Sequence, residues 1–203
     1  TKMAKEIKNV ENLLEELRVP AFKTAKIELE TLNKFSKANG FPKSQNIEPW
    51  DISYWSELLR KEKFNLDQES LRPWFPLNDV LQGLFKLSEK LFEIKVVEAT
   101  DEAPLWNDDV LFFNILDKED NKIASFYLDP YSRPGSKRGG AWMDECLNKN
   151  NAGQKILPVA YLVCNQTPPS KDKPSLMSFE EVQTLFHEFG HGLQHMLTTV
   201  NLP

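Results

Sequence analysis

Ser178-Phe179-Glu180-Glu181-Val182-Gln183-Thr184-Leu185-Phe186-His187-Glu188-Phe189-Gly190-His191-Gly192-Leu193-Gln194-His195-Met196 holds all three histidines of this 203-residue chain. Ser178 followed three residues later by Glu181 is a capping-box pattern, and it predicts a helix over 179–198. Val182, Leu185, Phe186 and Phe189 give that helix a large apolar surface to bury. Gly190 and Gly192 each cost about 1 kcal/mol relative to Ala inside a helix. Glycine suits places where a backbone or a substrate comes close, and plain helix packing explains it equally.

A spacing of four residues puts His187 and His191 on adjacent turns of one helix face. Neutral imidazoles placed in this way can converge on one Zn²⁺. Glu188 projects beside them and is placed to act on a metal-bound water rather than on the metal. The chemistry implied is metal-assisted hydrolysis, with Glu188 taking a proton from water and passing it to the leaving amine. His195 lies one further turn along. A straight helix separates positions 187 and 195 by roughly 12 Å, too far for one ion to bind both. His195 is therefore expected to be a packing or surface residue.

Upstream, 159–164, 123–128, 110–116 and 94–99 are short β-branched or aromatic runs bounded by turn residues, and they predict four strands. Asp117-Lys118-Glu119-Asp120-Asn121 is expected to be the hairpin loop between the middle two. Residues 129–140 and 165–174 are rich in Pro, Gly or Ser and are expected as loops. Before the strands the pattern is helical. Helices are predicted over 77–92 and 49–63, with Asn78-Asp79 capping the former. Trp50, Tyr54, Trp55, Trp74 and Phe75 are expected mostly in the core. Ile7, Val10, Leu13, Leu14 and Leu17 form one apolar stripe, and Phe22, Ala25, Leu29, Leu32 and Phe35 a second. Pro20 between them predicts a break, hence an N-terminal helical hairpin with a stop at Asn39-Gly40. Both stripes are expected to be core.

The fold class expected is mainly α with a small β-sheet (α+β): a helical region over 1–92, then the sheet and the HExxH helix over 93–203. Hydrophobic residues at 40% and charged residues at 27% permit a packed core. The net charge of -5 and the lack of a basic stripe argue against a nucleic-acid partner. Apolar runs such as Val110-Leu111-Phe112-Phe113 are too short to span a bilayer. Cys146 and Cys164 make no disulfide framework. With no signal-peptide pattern, the expected location is the cytoplasm or an organelle stroma or matrix, not the exterior. A start at Thr1 suggests a preceding segment. Oligomeric state is not legible.

Several blocks carry a resemblance. They are Phe75-Pro76-Leu77-Asn78-Asp79, Tyr127-Leu128-Asp129-Pro130-Tyr131 with Lys137-Arg138-Gly139-Gly140-Ala141-Trp142, Leu157-Pro158-Val159-Ala160 with Cys164-Asn165-Gln166-Thr167, and the His187–His191 motif itself. Together they resemble the thimet oligopeptidase and oligopeptidase A family of zinc metallopeptidases, in its bacterial and plant organellar branch. The resemblance implies a zincin-like catalytic-domain fragment or truncated form that cleaves short peptides in a deep channel. It implies His187 and His191 as the first two zinc ligands and Glu188 as general base. Gly139, Gly140 and Ala141 match a loop near the substrate channel, where a peptide can add to a sheet edge.

The family takes its third ligand from a glutamate after the second histidine. Here no Asp or Glu follows His191, and Asn201 precedes Leu202-Pro203 where the family places that glutamate. The family's later tyrosine and histidine are also absent. Zinc is therefore expected to be weakly held or absent in this chain, and a non-catalytic peptide-binding or scaffold module is the alternative reading.

Overall fold

The computed structural model describes residues 3–65, 67–150, 155–171 and 173–200. The chain forms two compact units, Thr1–Asp67 and Gln68–Pro203.

In the first unit, helix α1 (Ile7–Ala38) runs unbroken through Pro20, so the predicted hairpin at that residue is absent. Proline removes one N–H and frees the carbonyl of Glu16. That turn of α1 is exposed, so the freed carbonyl is not sealed in an apolar contact, and the helix continues. The stop at Asn39-Gly40 forms as expected. Gly40 takes φ +103, and the Phe41 N–H closes back onto the Ser36 carbonyl at 3.0 Å. The helix that packs against α1 is α2 (Ile52–Phe64). Leu32, Ile47 and Trp55 make their shared core, with Phe35 and Phe41 edge-on to the Trp55 ring. The stripe from Ile7 to Leu17 is exposed rather than core, as are Phe22 and Leu29 of the second stripe, Trp50 and Tyr54. Helical period reports an apolar face, not what covers it.

The second unit begins with a short turn of helix, α3 (Gln68–Leu71), and a 3₁₀ turn, Arg72–Trp74, that leaves Trp74 exposed. Helix α4 (Leu77–Phe92) follows with the predicted bounds. Its first N–H groups are met by tertiary contact instead of by Asn78: the Leu77 N–H donates to the Ser175 carbonyl at 3.1 Å. Five strands and a last helix complete the unit: β1 (Lys95–Glu98), β2 (Leu111–Leu116), β3 (Lys122–Tyr131), β4 (Trp142–Leu147), β5 (Val159–Gln166) and α5 (Phe179–Met196).

The sheet order is β1-β2-β3-β5-β4, antiparallel except for β3 beside β5. The β2–β3 hairpin closes where expected: the Asp117 carboxylate accepts the N–H groups of Glu119 and Asn121, and Asp120 takes φ +60. Strand β4 was not among the four predicted strands, and β3 runs on to Tyr131 through Pro130, into the stretch expected as a loop. The register shifts between Asp129 and Tyr131, so the missing proline N–H falls where the ladder is already broken.

Strand alternation sorts the residues onto two faces. Phe113 and Ile115, Ala124, Phe126 and Leu128, and Ala160, Leu162 and Cys164 point to the side covered by α4 and α5. Leu81, Leu84, Leu185, Phe189 and Met196 come down onto them. Helix α4, grouped by the sequence reading with the helices before it, thus packs on the sheet. Val110, Phe112 and Tyr127, with Val159 and Tyr161, form a separate cluster on the opposite side.

Candidate active site

Helix α5 starts on the predicted capping box. The Ser178 hydroxyl accepts the Glu181 N–H at 3.1 Å, and the Glu181 carboxylate accepts the Ser178 N–H at 2.6 Å. Arg72 reaches the same carboxylate at 3.3 Å and the Leu176 carbonyl at 3.1 Å, which fastens the helix start to the preceding turn. Phe189 is anchored in the core against Phe85 and Phe126. Gly192 allows close seating on β5, because a Cβ there would stand 3.0 Å from a Leu162 methyl. Gly190 faces open space, so no packing contact requires it.

This seating leaves His187 and His191 exposed on the outer face and Glu188 buried beneath them. The two Nε2 atoms stand 3.0 Å apart, with the rings at 89°. A zinc–nitrogen bond is about 2.0–2.1 Å, so one ion can reach both nitrogens. The pair therefore fits two of the four positions zinc uses. Among the described residues, no group of three His, Cys, Asp or Glu is close enough to hold a metal ion. Asn201, Leu202 and Pro203 lie outside the described residues.

Below the helix is a cavity of ≈ 410 Å³ lined by Ala141, Trp142, Met143, Glu188, His191 and His195, among others. Glu188 and His191 thus share one space with the start of β4, the outer strand of the sheet. Of the three loop residues singled out for substrate, Ala141 lines this cavity and Gly139 and Gly140 do not. Gly140 takes φ +99, a left-handed value that only glycine adopts without strain. Its carbonyl accepts the Asn165 side-chain amide, which ties the loop to the end of β5. His195 is buried, and its Nε2 lies 3.0 Å from the Leu147 carbonyl, linking α5 to the far end of β4. Cys164 lies under the helix. Burial pushes its thiol up to about 12, so it stays protonated and unreactive.

On the opposite face is a charged cluster that the sequence reading missed. Asp129 is buried, and its carboxylate accepts two bonds from Arg133, at 2.8 and 2.6 Å, one from Lys137 at 2.9 Å and one from the Trp106 indole at 3.1 Å. Lys137 also donates to the Asp129 and Tyr131 carbonyls, so all three of its protons are used. Burial raises the Asp129 carboxyl, but the bonds from Arg133, Lys137 and Trp106 outweigh it and hold the group below the usual carboxylate range. Burial lowers Lys137 more than its bonds to Asp129 restore, and the nearby charge of Arg133 lowers it further. The signal was a pair of cations four and eight residues after an aspartate, read as loop charges.

Residues 1–203 match the sequence model of peptidase family M3. Relatives include the chloroplastic/mitochondrial organellar oligopeptidase A of Arabidopsis thaliana, 50% identical over 197 residues that cover 95% of this chain and 25% of that protein. The probable cytosolic oligopeptidase A of the same plant is 49% identical over 203 residues, covering 98% and 29%. Oligopeptidase A of Escherichia coli strain K12 is 42% identical over 202 residues, again covering 98% and 29%. The chain belongs to peptidase family M3. It spans from 25% to 29% of the length of these three relatives.

Proposed function

We propose that this chain supplies the metal-binding helix, the general base and the substrate-binding edge of a zinc-dependent endopeptidase that hydrolyses short peptides. The observation that carries the reading is the convergence of the His187 and His191 Nε2 atoms at 3.0 Å, above a buried Glu188 that opens on the β4 cavity. His187 and His191 would hold the zinc, and the ion, when bound, supplies Lewis acidity toward a peptide carbonyl and toward water. Glu188 accepts the proton of the attacking water and delivers it to the leaving amine. The substrate adds as a further strand to the outer edge of β4, which among the described residues pairs only with β5.

The names of the relatives as oligopeptidases support short peptides as substrates. Two plant relatives named as organellar and cytosolic support a cytoplasmic or organelle-interior location. Among the described residues, no helix is long and apolar enough to cross a membrane. Nothing in the charge pattern calls for nucleic acid.

The test uses protein expressed from its complete gene and internally quenched peptides of five to ten residues, lengths set by about 3.3 Å per residue along a sheet edge. Glu188→Gln is expected to lower kcat/KM by about 10²–10⁴-fold while bound zinc is retained. A chelator should stop the wild type, and added zinc should restore it. Unchanged turnover in Glu188→Gln, or cleavage indifferent to chelator, would overturn the reading.

A further inference from the structure

The outer strand β4 has a cavity on each of its faces. Met143 and Glu145 line the one beneath α5, whereas Trp142 and Asp144 line one of ≈ 400 Å³ on the opposite side. Trp142 borders both. The second cavity is walled by Trp106, Trp142 and Tyr161 and floored by Asp129 with Arg133 and Lys137.

Its charges cancel. Arg133, Lys137 and Arg138 bring three positive charges. Asp129 and Asp144 in the lining, with Asp109 acting on Arg133 from nearby, bring three negative ones. The Asp129 carboxylate is committed to Arg133, Lys137 and Trp106, and every Lys137 proton is used. What remains for a ligand is aromatic surface bordered by the Arg138 guanidinium and the Asp144 carboxylate. Trp106 is 50% exposed, yet it is held rigidly by its indole bond to buried Asp129 and by edge and tilted contacts with Tyr161 and Tyr127. Arg138 lies 5.0 Å over the Trp142 ring, so that ring is braced as well. A half-exposed indole fixed by a buried carboxylate is preorganised to receive another ring at little entropic cost.

We infer that this second cavity is a specificity pocket for an aromatic side chain of the peptide substrate. The inference rests on the proposed addition of substrate to the β4 edge. A strand added there alternates its side chains as β4 does. One side chain faces α5 and the reacting groups, and the next faces Trp142 at the mouth of the second cavity, whose inner wall is Trp106 over β3 and β5. The pocket therefore reads a residue whose two neighbours point to the α5 side, and it selects rings over small or charged side chains.

The experiment scans phenylalanine through an all-alanine internally quenched peptide, using protein expressed from its complete gene. At one position kcat/KM should exceed that of the alanine peptide by about tenfold, as filling an apolar pocket does. In Trp106→Ala that ratio should fall toward one, and in Trp106→Phe most of it should remain. Should Trp106→Ala fail to fold, Trp142→Ala removes the opposite wall and should lower the same ratio. A ratio that survives both alanine variants, or no position preferring phenylalanine, overturns the pocket. If no peptide is cut, the peptidase reading fails instead. Binding of the phenylalanine and alanine peptides, read by tryptophan fluorescence, then decides the pocket alone: tighter binding of the former, lost in Trp106→Ala, upholds it, and equal binding overturns it.

Discussion

On the α5 side of the sheet, Phe113, Ile115, Phe126, Leu128 and Leu162 meet a helix through apolar contact, and Glu188 and His191 sit at the rim of that layer. On the other side, the same strands present Asn114, Ser125, Tyr127 and Asp129, and a loop is held down by a buried carboxylate with two cations. The first face is stabilised by burial that is indifferent to any one polar residue. Its exposed histidines are then free to serve a ligand. The second depends on a network in which each member leaves another unpaired when removed. Chemistry and stability should therefore separate by face.

The strongest way to break this contrast is His191→Ala. It should lose zinc and lower peptide hydrolysis by more than about a hundredfold. The residue is exposed, so the thermal midpoint should move by no more than about 2 °C. A large loss of stability would show that the α5 rim also carries the fold.

Asp129→Ala should do the reverse. It removes the buried partner of the half-buried Arg133 and Lys137 and should cost about 3–5 kcal/mol in urea unfolding. The pH dependence sharpens the point. The folded Asp129 carboxyl lies below its unfolded value, so its contribution is complete above the unfolded value of about 4. That contribution is lost as pH falls through the folded value. The stability gap between wild type and Asp129→Asn should therefore narrow in acid. A gap that is constant with pH would remove Asp129 as the anchor.

The smallest effect compares two glycines of α5. Gly190→Ala meets open space and should gain about 0.5–1 kcal/mol of helix propensity. Gly192→Ala meets a Leu162 methyl at 3.0 Å and should fall short of that gain. Equal gains in chemical denaturation would mean that α5 is not seated tightly on β5.

The parts of the molecule that could be read in advance are local ones. Ser178 and Glu181 contact each other across three residues, and His187 and His191 across four, so one helical geometry specifies both. The bounds of α4 and the Gly40 stop belong to the same class. Pro20 shows the limit of such rules: it was read as a break, and α1 continues through it on an exposed turn. Strand β4 escaped because its edge position gives weak alternation, with Trp142 and Met143 half-buried and Asp144 and Glu145 exposed. Only pairing with β5 defines it as a strand. The Asp129 anchor escaped because one of its partners, Trp106, stands 23 residues away.

The amino-acid sequence by itself determined the HExxH helix, its cap, the α+β character and the resemblance to oligopeptidases, since each rests on contacts within about two helical turns or on a recognisable string of residues. Tertiary structure alone decided that Glu188 is buried while its flanking histidines are not, that Ala141 and β4 meet it across a cavity, and that the far side of the same strand opens on an aromatic one. Those outcomes depend on which strands neighbour one another and on how closely α5 seats against β5. Both are set by packing between residues far apart in the chain, which no local pattern encodes.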